Sequence, residues 1–122
     1  MINHIAYDVY CMKFSHFGSK VYLIKNKKIL IDTSSKSNES ELLRDLKNLG
    51  INPNEIKTIL LTHMHIDHIG NIFSFNANIY ADKNELNYFI KNPFAATLTY
   101  DDSFLEKIRQ AIKESKIKSL DE

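Results

Sequence analysis

The chain has 122 residues, of which 43% are hydrophobic and 25% charged, and a formal net charge of +1. That is the size of one small globular unit, and so even a charge balance makes no case for a nucleic acid or an acidic surface as partner. The single cysteine, Cys11, excludes an internal disulfide and fits a reducing compartment. With no basic-plus-apolar leader and no window long enough to span a bilayer, the expectation is a cytoplasmic protein without membrane contact.

From Ile5 to Lys13, β-branched and aromatic residues alternate loosely with polar ones, which predicts a first strand. Ser15–Ser19 contains Gly18 and reads as a turn. Val21–Lys25 and Ile29–Thr33, separated by Asn26-Lys27, predict a hairpin. Ser34–Ser37 is a polar loop. Asn38 followed by Glu41 is a capping-box pattern that opens a helix to about Leu49, with Leu42, Leu43, Leu46 and Leu49 as its apolar stripe and Gly50 as its stop. Asn52-Pro53 marks a turn before a strand at Thr58–Leu61.

Ile69–Phe75 reads as a short helix and Ile79–Ala81 as a strand. Asp82 with Glu85 predicts a capped helix to about Lys91, ended by Asn92-Pro93. Asn92–Asp102 reads as irregular and includes Phe94 and Tyr100, which would line a substrate entrance or pack on the sheet. Ser103 with Glu106 predicts a last helix running to about Ile117, with Phe104, Ile108, Ala111 and Ile112 buried. Its other face mixes Lys107, Arg109 and Lys113 with Glu106 and Glu114, which is the pattern of a solvated surface. No helix carries an Arg-rich or aromatic-interleaved basic stripe, so nucleic acid is not an expected partner.

The chemistry is concentrated in Thr62-His63-Met64-His65-Ile66-Asp67-His68-Ile69-Gly70. Four residues of metal-ligating type fall directly after the apolar run Ile59–Leu61, where a buried strand ends. His63 and His65, two apart in extended chain, project to one side and can grip one ion. Asp67 and His68 follow as the chain turns and aim at a neighbouring position. Imidazoles with a carboxylate suit zinc best, and iron or manganese next. His4 near the terminus and His16 in the Phe14–Gly18 turn have no such company and read as solvated or packed imidazoles. Cys11, in an alternating strand, reads as a small buried hydrophobe.

This run resembles the His-x-His-x-Asp-His-x-Gly signature of the metallo-β-lactamase superfamily, whose members are mostly zinc hydrolases. The resemblance extends upstream, where Val21–Ile24 and Lys28–Thr33 look like the family's paired strands ending in an aspartate, here Asp32. It covers about two-thirds of the chain, with mild departures. Ser34 stands where the family usually has glycine, and Asn71 where the glycine after the motif is often doubled. The fold implied is α/β, the N-terminal half of a four-layer αββα sandwich: a mixed β-sheet with helices on its outer face. Complete members need on the order of 200 residues, so residues 1–122 would form a single, incomplete domain.

The resemblance also assigns roles. His63 and His65 would hold a first zinc, Asp67 and His68 a second, and Asp67 would also take a hydrogen bond from the attacking water as a catalytic residue. Asp32 would support a metal-binding histidine; a turn or cap role is its simpler alternative. In the family a third histidine, a bridging aspartate and a last histidine come from the second half of the fold; here no histidine follows His68 and the sequence runs to Glu122, so half of such a site is expected. Metal-assisted hydrolysis of a thioester, lactone or phosphodiester is thus implied, with the chain inactive alone. His65 in place of glutamate points to zinc over the di-iron relatives. His68 in place of arginine or cysteine, with no export signal, points away from antibiotic degradation and leaves thioesterases similar to glyoxalase II, lactonases, and phosphodiesterases or nucleases, with the glyoxalase-II or lactonase type as the first reading. Partners would be a small ester, thioester or lactone substrate and either a second copy or a C-terminal-half chain. The contrasting expectation is a non-catalytic metal-binding or assembly module that pairs with such a chain.

Overall fold

Seven short runs, each with at least one Ile or Val, line up side by side in the computed structural model, which describes residues 1–120. They are β1 (Ile2–Ala6), β2 (Val9–Met12), β3 (Val21–Ile24), β4 (Ile29–Ile31), β5 (Thr58–Leu61), β6 (Asn78–Ala81) and β7 (Ile117–Ser119), in sheet order β1-β2-β3-β4-β5-β6-β7. The first three pairings are antiparallel and the last three parallel. Parallel neighbours need crossovers, and helices supply them: α1 (Glu39–Asn48) between β4 and β5, α2 (Ile66–Ile69) between β5 and β6, then α3 (Lys83–Lys91), α4 (Pro93–Thr97) and α5 (Asp102–Lys113) between β6 and β7.

Register separates the two faces of this sheet, because successive strand residues point to opposite sides. One face carries the row Tyr10, Leu23, Leu30, Ile59, Ile79 and Ile117. These residues join Leu42 and Leu46 of α1, Ile69 of α2, Leu86 and Phe89 of α3, and Leu105, Ile108 and Ala111 of α5 in one cluster. The opposite face carries Cys11, Tyr22, Ile31, Leu60 and Tyr80 in one row, with Val9, Ile24 and Ile29 in the next. Apart from Cys11, these are only half-buried, and none belongs to the core cluster. The molecule is a two-layer α/β unit with helices on one side of a mixed sheet and an apolar second side.

Several elements depart from the sequence expectations. The stretch Ile5–Lys13 is two strands, bent at Tyr7-Asp8. A register shift between His4 and Ala6 marks the bend, and the Asp8 carboxylate accepts from the Asn26 N–H at 2.9 Å. No glycine or proline announces this turn. Asn38 does not cap α1, because its side chain is fully buried and occupied elsewhere: it accepts from His16 N–H at 3.0 Å and donates to His16 O at 3.0 Å. Within Ser34–Ser37 a 3-10 turn begins, spanning Lys36–Asn38. The helix expected at Ile69–Phe75 starts earlier, as α2, and a separate 3-10 turn spans Ile72–Ser74. Residues 92–102 are not irregular throughout, since Pro93 at a first helical position starts α4. The last helix is capped by Asp101, which accepts from Phe104 N–H, and it stops at Lys113. Ile117 then belongs to β7, which three alternating residues were too few to reveal.

Candidate metal centre

Parallel pairing places the carboxyl ends of β4, β5 and β6 next to one another, and ligand sites in open α/β sheets gather at such ends. Asp32 leaves β4, the run from Thr62 to His68 leaves β5, and Asp82–Glu85 leaves β6. The first two segments are zipped together. Asp32 N–H donates to Leu60 O at 2.8 Å, Thr33 N–H to His68 O at 2.9 Å, and Gly70 N–H to Ser34 O at 2.9 Å. The Asn71 amide donates to Thr33 O and Ser35 O, both at 2.8 Å. To make these contacts the chain adopts left-handed backbone at Asp32 (φ 64°) and Ser34 (φ 63°), a conformation uncommon outside glycine, asparagine and aspartate. Gly70 is required by space: a Cβ there would lie 2.5 Å from Lys36 N and 2.7 Å from Ser34 O.

Asp32 is buried at the centre of this knot. Its Oδ1 accepts from Thr62 N–H at 2.9 Å, and its Oδ2 from Thr62 Oγ1 at 2.6 Å and from His68 Nδ1 at 2.9 Å. A carboxylate only accepts, so Nδ1 carries a proton, and in the neutral ring the lone pair lies on Nε2. That Nε2 lies 3.7 Å from Asp67 Oδ2. Asp67 is the second residue of α2, and its backbone carbonyl accepts from Ser19 N–H at 2.9 Å, which ties the Phe14–Ser19 loop to the site.

Met64, between the two leading histidines, is fully buried, and this anchors the strand exit so that His63 and His65 both project outward. Their rings stack at 5.6 Å between centroids with planes 20° apart, and the His68 ring meets His63 edge-on at 5.1 Å and His65 at 6.4 Å. Three imidazoles and one carboxylate therefore face a common space. This donor set has the chemistry of a zinc site. Among the described residues, however, no three His, Cys, Asp or Glu side chains close around a single point. The residues fit a metal by their donor chemistry, but as placed they form an open set.

The other sequence candidates lie apart. His4 stacks on Tyr10 at 4.4 Å and its Nε2 contacts Tyr7 O at 2.9 Å, a local packing role. Phe94 stacks on Tyr100 at 5.5 Å, and both are exposed, not packed on the sheet. Two contributors escaped the sequence reading. Thr62 gives Asp32 two of its three hydrogen bonds. Glu85 does not complete a capping box at α3; its Oε1 accepts from Met64 N–H at 3.0 Å and stands 3.6 Å from His63 Nδ1. Only knowledge that β5 and β6 are parallel neighbours brings Glu85 to the motif.

Comparison with known proteins bears on the family and the fold. The family model described as the metallo-beta-lactamase superfamily matches residues 16–102. The chain belongs to that superfamily. A probable metallo-hydrolase of Methanocaldococcus jannaschii is 40% identical over 62 residues, 49% of this chain and 30% of that protein. A metallo-beta-lactamase domain-containing protein of Xenopus laevis is 32% identical over 75 residues, 59% of this chain and 32% of that protein. The crystal structure of a subclass B3 metallo-beta-lactamase of Bradyrhizobium japonicum superposes with a TM-score of 0.61 at 26% identity, over 72% of this chain and 35% of that one. The chain thus spans about a third of the length of the superfamily relatives it matches. The φ of 63° at Ser34 accounts for the glycine usual there in the superfamily, since glycine takes left-handed backbone without a Cβ penalty. No helix among the described residues is long and apolar enough to cross a membrane.

Proposed function

We propose that this chain carries one half of a zinc-dependent hydrolase site, acting on a small thioester, lactone or phosphodiester once the remaining ligands are supplied. The observation that supports this reading is the convergence of the His63, His65 and His68 rings beside Asp67 at the carboxyl end of β5. His63 and His65 hold a first zinc, Asp67 and His68 a second, and iron or manganese would suit the same donors less well. A metal held there would supply an acidified water and a Lewis acid for the scissile group. Asp67 accepts a hydrogen bond from the attacking water and holds it in line. Asp32 keeps His68 in the tautomer whose Nε2 faces the ion. The apolar second face of the sheet, with Tyr22, Ile24, Ile29, Ile31, Leu60 and Tyr80, is where a C-terminal-half partner or a second copy of the chain would pack. Cytoplasm is the compartment proposed, on the strength of a single reduced cysteine.

One observation favours a second reading. No three donors close on a point among the described residues, whereas zinc enzymes usually give each ion three protein ligands. A module that binds metal weakly and serves assembly is therefore the competing function. Zinc titration separates the two, together with hydrolysis assays on the chain alone and mixed with a candidate C-terminal partner. Weak zinc binding that is lost in His63→Ala and His65→Ala, with turnover appearing only in the mixture and disappearing in Asp67→Ala, supports the enzyme. Zinc binding with no turnover in any mixture supports the module. Zinc affinity indifferent to both histidines, or robust turnover by the pure monomer, overturns the half-site picture.

A further inference from the structure

Glu85 has no evident local reason to be where it is. Asp82 already caps α3 by accepting from Asn84 N–H at 2.9 Å, so the helix does not need Glu85 in its first turn. Its carboxylate instead crosses from the end of β6 to the end of β5. There it takes the Met64 N–H at 3.0 Å and faces His63 Nδ1 at 3.6 Å. The Met64 N–H follows directly on His63 and has left the β5 ladder, so it needs an acceptor from another segment. One carboxylate thus meets both needs: it satisfies the loop's backbone and stands against the first histidine ring.

Its relation to His63 repeats that of Asp32 to His68. In each case a carboxylate from the neighbouring strand's exit approaches Nδ1, and the His63 and His68 rings meet edge-on. At 3.6 Å the Glu85 contact is electrostatic and longer than a hydrogen bond. The His63 ring is more than half exposed and free to rotate toward the carboxylate. A histidine that ligates a metal commonly donates its other ring N–H to such an acceptor, which fixes tautomer and orientation.

We propose that Glu85 is a positioning residue for His63, selecting the Nδ1–H tautomer and presenting Nε2 to the metal, while also fixing the loop through Met64 N–H. This deepens the metal-site reading above and rests on it for the role of the metal; the tautomer itself does not depend on it. His65 has no counterpart among the described contacts, so of the two leading histidines only His63 is held from behind.

The test reads tautomers first. Long-range nitrogen–proton correlation spectra of the metal-free chain at alkaline pH report which ring nitrogen of each histidine carries the proton. The expected result is Nδ1–H at His63 in wild type and a swing toward Nε2–H in Glu85→Ala, with His68 unchanged. Zinc titration of the same proteins should show affinity falling on the order of tenfold in Glu85→Ala and less in Glu85→Gln, whose amide oxygen still accepts from Met64 N–H. Asp82→Ala weakens the same helix without touching the loop and should leave both readouts near wild type. If Glu85→Ala does not fold, Glu85→Leu, which likewise lacks an acceptor, carries the tautomer measurement. An unchanged His63 tautomer in Glu85→Ala or Glu85→Leu overturns the proposal, as does an equal loss of affinity in Asp82→Ala. A tautomer swing in a chain whose wild type binds no zinc would keep the positioning role and overturn the metal-site reading instead.

Discussion

The two ends of the motif are held in different ways. At the far end, His68 is largely buried and its Nδ1 sits 2.9 Å from a buried Asp32, whose carboxylate also takes two hydrogen bonds from Thr62. At the near end, His63 is 56% exposed and its carboxylate neighbour, Glu85, is 3.6 Å away and itself partly exposed. The far end is part of the folded core and would persist without metal. The near end, at His63, is held through the Met64 N–H bond to Glu85 and by the buried Met64 side chain beneath it. Stability is invested at one end and adaptability at the other, so substitutions at the two ends should differ in kind.

The largest effect is expected at Gly70, on the buried side. A methyl group there meets the backbone of Lys36 and Ser34 at 2.5 and 2.7 Å, and neither can yield without moving the Asp32 turn. Gly70→Ala should cost about 3 kcal/mol, the upper range for overpacking, measured as a shift in denaturant midpoint. Asp32→Ala comes next. It strands Thr62 N–H and the His68 ring, and about 2 kcal/mol is expected. If Asp32→Ala proves neutral, the two ends of the motif are not held differently after all.

At the exposed end the same measurement should barely move. His63→Ala is expected within about 0.5 kcal/mol of wild type, as for surface positions, while its zinc affinity falls. A large stability loss there would erase the contrast just drawn.

The smallest effect concerns pH and lies outside both ends. Glu39 accepts from Ser74 Oγ at 2.5 Å and pairs with Lys36 at 2.9 Å. The Ser74 hydrogen bond, then that from Lys36, holds its carboxyl below the ordinary value of 4.5. The folded form therefore binds its proton less readily than the unfolded chain, so the contribution is complete above that value and fades as pH falls through the lower folded one. Glu39→Gln should flatten this acid limb and leave the neutral-pH stability close to wild type, because the group is partly exposed.

The placement of the two leading histidines could be read directly because it is local. Alternation and a strand end suffice to put His63 and His65 on one side, and the strand Thr58–Leu61 has the bounds expected of it. What the sequence hid was set by distance along the chain. Asp32 and His68 are 36 residues apart, and Glu85 lies 21 beyond Met64. Their meeting depends on which strands are parallel neighbours. The capping patterns misled for a related reason. Asn38 and Glu85 have the composition of cap residues, but tertiary partners offered their polar atoms better-buried bonds, so the local preference lost. The turn at Tyr7-Asp8 and strand β7 were missed because the one lacks glycine or proline and the other is only three residues long.

The parallel pairing of β4 with β5 also bears on when the site comes into being. The pairing encloses the whole of α1, and a connection of that length must be closed before its contacts give any return. The motif's nine residues cannot assemble their own support, since Asp32 arrives only with that closure. A synthetic peptide of residues 62–70 should therefore lack the His68 geometry. In refolding, capacity to take up zinc should lag behind the appearance of helical signal and rise together with β4–β5 protection against hydrogen exchange.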